Sequence, residues 1–296
     1  MSNSAILSSS IAKKYWMALT GLFLCLFLVG HLLGNLQLVF ITGEEGKRAF
    51  NEYAYFMTHN PLIKVMSYVT YLSILFHAID GILLTIQNKK ARPINYAYNN
   101  PSANSSTAAR QMAVLGSAIL IFIVIHMANF WWKMKYSSTP MPLHKVFVME
   151  PQSKKEQALY LTHTNNFFPV TAFENSPMGQ AQMVVKNGTE FYSKEVNIKM
   201  GDGYKDLHSL VLAFFGHDKS KEGFGANGNA LIAVILYVLA MAVLSFHLMH
   251  GFASAFQSLG VNNPKFTPAI KWLGKAFSIV VPAAFALIPV YLFLTK

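Results

Sequence analysis

Apolar residues along this chain fall into five long blocks separated by polar connections. The blocks cover about 17–41, 62–86, 112–133, 229–253 and 269–294. Each reaches the roughly 20 residues that a helix needs to cross the hydrocarbon of a bilayer. The last contains Pro282 and Pro289, which a transmembrane helix tolerates when neighbouring groups satisfy the freed carbonyls. The connections differ in character. Residues 42–61 are short and lean acidic (Glu44, Glu45, Glu52), and residues 87–111 are polar and rich in Asn and Ser. Residues 134–228 form the largest polar part. Within it, "KDLHSLVLAFFG" has helical periodicity, which predicts an amphipathic helix from Leu207 to Phe215. The weak alternation of "GQAQMVVKNGTEFYSKEVNI" around Asn187–Gly188 suggests a hairpin. The expected fold is all-α: an integral membrane bundle of five transmembrane helices with a long insert between the third and fourth. The expected parts are 1–133, 134–228 and 229–296.

Composition supports this frame. Charged residues make up 12% of the 296 and apolar residues 53%, against roughly 25% charged in a soluble domain. The formal charge of +11 would raise nucleic acid as a partner in a soluble protein. Here the basic residues flank apolar blocks, so membrane lipid is the expected partner and nucleic acid is not. The single cysteine, Cys25, makes no intrachain disulfide and no cysteine-ligated iron–sulfur cluster, and there is no CxxCH for covalent haem. No P-loop pattern is present, which argues against a nucleotide-dependent active site. The first apolar block is too long for a signal-peptide core and no A-x-A site follows it, so it reads as a retained helix.

Charge also orients the chain. With five crossings, the N-terminus, the 87–111 connection and the fourth-to-fifth connection share one side. That side carries Lys13, Lys14, Lys89, Lys90, Arg92, Arg110, Lys265, Lys271 and Lys275 and no Asp or Glu. Twelve of the 13 acidic residues lie in the other two connections, the exception being Asp80. The positive-inside rule makes the basic side cytoplasmic and the 134–228 insert extracytoplasmic.

The candidate chemistry lies in the histidines. Five of the ten, His59, His144, His163, His208 and His217, fall in connections and are expected to be solvated. The other five, His31, His77, His126, His247 and His250, fall inside blocks, where an imidazole needs a partner and marks a functional hypothesis. Each of the first four spans holds a histidine past its midpoint in chain direction. Because spans alternate in direction, His31 and His126 fall in the outer half and His77 and His247 in the inner half, the two levels separated by roughly 10–15 Å. Two facing pairs, one above the other, match bis-histidine ligation of haem b iron by helices of a bundle. Zinc would prefer three or four converging ligands. "HAIDG" and "HLMHG" share one spacing, placing Gly81 and Gly251 one turn past His77 and His247, where a flat macrocycle could approach the helix. Gly30 and Gly34 could serve His31 in the same way. His250 could hydrogen-bond a haem propionate or reach the lipid headgroups.

The stretches "TGLFLCLFLVGHLLGN", "FNEYAYFM", "ILFHAIDGILL" and "LSFHLMHGFASAFQSLG" resemble the cytochrome b membrane-anchor subunit of succinate dehydrogenases and fumarate reductases, in its five-helix, two-haem b558 form. The resemblance spans all five apolar blocks. It implies a bacterial inner-membrane complex II with a flavoprotein subunit, an iron–sulfur subunit and this multi-pass anchor, its N-terminus cytoplasmic. The anchor would carry two haems b and pass electrons to a quinone, often menaquinone. The family's ligands fall on His31 and His126 for the distal haem and on His77 and His247 for the proximal one. An acidic residue after the first span takes part in a distal quinone site of this type. Glu52 is the candidate here, with a solvated loop carboxylate as the alternative. Some fumarate reductases of this type carry a glutamate two residues before the last-span ligand, where this chain has Ser245, so that proton route is not supported. The insert is longer than the loops of well-known members. Asp80, the one carboxylate inside a block, could end at the inner headgroups, help to protonate quinone or orient a ligand.

Two other readings compete. One is a cytochrome b subunit of a hydrogenase or formate dehydrogenase. The other is a transporter that relays protons through intramembrane histidines, although such folds often show repeats and helices broken near the midplane, and the prolines here cluster in the last block.

Overall fold

In hydrocarbon the backbone can satisfy its own polar groups only within a helix or a closed barrel. Long runs of Leu, Ile, Phe and Val with almost no charge therefore become helices. The computed structural model describes residues 9–94, 98, 100–136, 141–150, 155–175, 177, 179–216, 224–225 and 227–295. It is mostly helical, and five of its helices are long and apolar enough to cross a membrane. They are α1 (Ser10–Phe40), α3 (Pro61–Lys90), α4 (Met112–Met127), α6 (Ala230–Ser258) and α7 (Thr267–Thr295). Helix α4 runs on through a π-helical turn, Ala128–Trp132, into Lys133–Tyr136. Several helices extend past their apolar blocks, since each added residue contributes another backbone hydrogen bond. His247 and His250 therefore lie two turns or more before the end of α6. Large apolar side chains such as Leu26, Leu33, Leu239 and Leu287 point outward, as a lipid-facing surface requires.

The first connection is itself a helix, α2 (Gly43–His59). Gly43, at φ +69°, turns the chain out of α1. Asn60 is extended, as a residue before proline prefers, and Pro61 opens α3, where its missing N–H costs nothing.

The all-α expectation needs correction. The insert holds two three-stranded antiparallel sheets as well as α5 (Leu207–Phe215). One consists of β1 (Lys145–Met149), β2 (Glu156–Leu161) and β3 (Phe167–Pro169), the other of β4 (Met183–Lys186), β5 (Glu190–Ser193) and β6 (Lys199–Asp202). The hairpin expected around Asn187–Gly188 forms between β4 and β5. Both turn residues have positive φ, and the Thr189 N–H donates to the Lys186 carbonyl at 3.2 Å. The other strands, three to six residues long, carry too few alternations to stand out in the sequence. Phe191, Leu143 and Met183 form a core, joined by Tyr160, Phe168 and Phe173. Gly203 is required beside it: a Cβ there would stand 2.7 Å from Phe191 Cζ.

Contacts divide the chain into two units. The first takes the described part of Met1–Asn35 with Pro61–Ile125 and Val234–Val290, and the second takes Leu36–Asn60, His126–Ala233 and the described part of Tyr291–Lys296. The second unit is thus larger than the 134–228 insert read from sequence, because α2 folds with it.

Candidate functional site

Within the first unit, α3 and α6 bring His77 and His247 together. Their ring centroids are 6.1 Å apart and their planes are inclined at 68°. The His77 Nδ1–H faces the Met17 carbonyl at 3.2 Å and Thr20 Oγ1 at 3.3 Å, while the Thr20 hydroxyl donates to the Trp16 carbonyl at 2.7 Å. A histidine held this way at Nδ1 has a fixed ring and tautomer, and its Nε2 lone pair is left available to a metal. His247 Nδ1 is buried and has no hydrogen-bond partner among the described residues. Gly21 makes room for the His77 ring, whereas Gly116 stands at ordinary contact distance from the His247 ring. A Cβ on Gly21 would meet His77 Cε1 at 3.2 Å, and one on Gly116 would meet His247 Cε1 at 3.7 Å. Thr20, Gly21 and Gly116 were not singled out as site residues from sequence. Thr20 and Gly21 open the "TGLFL" stretch, and both lie against His77.

The centroid separation of the pair is that of two imidazoles on one iron. Two imidazoles binding one iron from opposite sides, with bonds of about 2 Å and centroids roughly 1 Å behind each nitrogen, stand about 6 Å apart. A Cβ at Gly81 or Gly251 would meet nothing within 4 Å, so packing among the described residues does not call for glycine there. Among the described residues no group of three or more His, Cys, Asp or Glu is placed to hold a metal ion.

His31, in the first unit, stacks on Phe27 (5.3 Å, 13°) and lies 5.6 Å from Phe285, and its carbonyl accepts from Asn35 Nδ2 at 2.8 Å. His126 belongs to the second unit. It is the last residue but one of the regular part of α4, just before the π turn, with its ring 5.4 Å from Phe130. Phe130 in turn packs on Phe214 of α5 at 5.1 Å. Single π turns occur often at functional sites. His250 lines a cleft of about 1050 Å³ in the first unit, together with residues of α6, α7 and the approach to α4; His247 is not among the lining residues. Asp80 is partly buried. Glu52 lies on α2, where its Oε1 accepts from Arg48 Nε at 2.7 Å in a partly exposed ion pair, and Arg48 also donates to Asn165 Oδ1 at 2.7 Å.

The expectation that the connection histidines are solvated fails for His144 and His208, which are 1% and 9% exposed. They belong to a buried polar cluster joining α2 to the insert. Asn51 Nδ2 donates to Asp206 Oδ1 at 2.9 Å and lies 2.9 Å from His144 Nδ1, and Asn51 Oδ1 accepts from the His208 backbone N–H at 2.9 Å. Lys47 Nζ lies 3.4 Å from Asp206 Oδ2 and donates to the Lys145 carbonyl at 3.0 Å. Asp206 also caps α5 through the Ser209 N–H. Burial, reinforced by the Lys47 charge, pushes His144 down to about 4, so it is neutral at physiological pH. His59 stacks on Tyr55 at 3.8 Å and His163 lies 5.5 Å from the same ring, both nearer the surface. His217 lies outside the described residues.

No family model, curated protein or solved structure matches the chain.

Proposed function

We propose that this chain is the dihaem cytochrome b anchor of a succinate:quinone oxidoreductase, taking electrons from an iron–sulfur subunit paired with a flavoprotein and delivering them to a quinone. The observation that carries the reading is the His77–His247 pair, two imidazoles on separate apolar helices at iron-ligating separation. His77 and His247 would hold the inner haem b, and His31 and His126 the outer one. When bound, the haems supply reversible one-electron transfer at iron. The chain's own residues bind and orient. The Met17 carbonyl and Thr20 keep the His77 ring aimed, and Gly81 and Gly251 leave space for the ring edge. Glu52, on α2, is the proposed acidic residue of an outer quinone site. The N-terminus and the basic connections would face the cytoplasm of a bacterial inner membrane, where the iron–sulfur subunit docks.

The test is a reduced-minus-oxidised spectrum and a pyridine haemochrome assay of the purified chain. Haem b bands and about two haems per polypeptide are expected. Absence of haem sinks the reading in favour of a histidine-relay transporter. Haem with hydrogenase or formate dehydrogenase subunits co-purifying would move the chain to that class.

A further inference from the structure

We propose that the cleft at the basic end of the first unit binds one molecule of anionic phospholipid. This goes beyond the haem reading and does not depend on it. The cleft, about 1050 Å³, is formed by the approach to α4, the last turns of α6 and the first turns of α7. All three segments end at the side of the molecule that holds the nine basic residues named above, which is headgroup depth for helices of this length.

Its lining combines apolar and polar groups. Leu115, Phe246, Met249 and Ile270 supply an apolar wall. Gln257, Asn262, Lys271 and Lys275 supply polar groups, joined by the His250 ring and the hydroxyls of Ser106 and Thr107. Lys271 and Lys275 are four residues apart on α7, so both ammoniums project from one face. No Asp or Glu lines the cleft. The volume far exceeds that of an inorganic anion and reaches the upper end of the roughly 300–1,000 Å³ typical of organic-ligand sites. Two unopposed ammoniums beside an apolar wall match a phosphodiester attached to acyl chains. A neutral quinone head would use the hydrogen-bond donors but gain little from the charges, and a zwitterionic lipid would bring its own cation to the lysines. Basic residues near a bilayer surface each attract anionic lipid, and here two converge on a recess that can hold the chains as well.

The experiment uses the full chain, purified in mild detergent, depleted of lipid, and placed in nanodiscs of phosphatidylcholine with a graded fraction of phosphatidylglycerol. Lipid retained on release from the discs is counted by native mass spectrometry. One phosphatidylglycerol per chain is expected, retained in preference to phosphatidylcholine by roughly tenfold or more. The double variant Lys271→Ala, Lys275→Ala should lose that preference, whereas Lys89→Ala, Lys90→Ala, on the same side but outside the cleft, should keep it. Ala253→Phe, which fills the apolar part without touching charge, should also lower retention. Should the double alanine variant not yield monodisperse protein, Lys271→Gln and Lys275→Gln singly carry the same comparison. Equal retention of the two lipids overturns the proposal. So does undiminished phosphatidylglycerol on the lysine variants, displacement of the lipid by inorganic phosphate at millimolar concentration, or displacement by added menaquinone.

Discussion

The buried pair Lys47–Asp206 offers a sharp test of how α2 is attached to the insert. Lys47 is 3% exposed and Asp206 fully buried, 3.4 Å apart. The carboxylate also receives Asn51 Nδ2 and the Ser209 N–H. Removing one partner of such a pair leaves a charge in a low-dielectric site, which typically costs 3–5 kcal/mol. Replacing both with groups of similar shape removes the need for either and is often close to neutral. Lys47→Met is therefore expected to destabilise the second unit by about 3 kcal/mol, and Asp206→Asn, which keeps the cap on α5 but strands the ammonium, by a similar amount. The double variant should lose much less than the sum, giving a coupling of at least about 2 kcal/mol. Hydrogen exchange on the detergent-solubilised chain can follow this directly through the amides of α2 and α5. Single variants should open both helices together, and the double variant should reclose them. If the effects simply add, or if Lys47→Met changes protection by less than about 1 kcal/mol, the cluster does not clamp α2 to the insert.

Acid should act on the same cluster. Folding holds His144 at about 4, below its unfolded value near 6.5, so its contribution is complete above pH 6.5 and is lost as pH falls from there toward 4. Linkage puts the loss at about 3 kcal/mol, and the difference in unfolding free energy between the parent and His144→Gln, measured from pH 7 to 4, should show that slope; a flat difference refutes it. For the haem reading, His77→Ala and His247→Ala should remove one and the same redox component, and His31→Ala and His126→Ala the other, while His250→Ala spares both; loss of the same component from His31→Ala and His77→Ala would overturn the pairing. Charge reversal at Lys89, Lys90 and Arg92 should weaken association with the iron–sulfur subunit, most visibly as salt rises, with haem content unchanged; a complex as salt-resistant as the parent would leave those residues a topological role alone.

The amino-acid sequence alone determined what depends on local pattern. Five apolar runs set the five long helices, because hydrocarbon leaves a lone strand or loop no partner for its backbone. Asn187–Gly188 set the one hairpin that was legible, since both positions need positive φ. The period of 207–215 set α5, and its ends agree with the structure. The histidines worth attention were visible too, because an imidazole in an apolar run is costly. What only the tertiary structure decided are the contacts that join distant segments. Asn51 meets His144 across 93 positions and Asp206 across 155. The residues on either side of His144, Leu143 and Lys145, do not by themselves mark it as buried, because its burial comes from α2. The same holds for Thr20 and Gly21, ordinary residues of an apolar helix until α3 brings His77 against them. Solvation of a polar side chain is set by what folds over it, and that information is spread along the chain rather than held in the residues on either side.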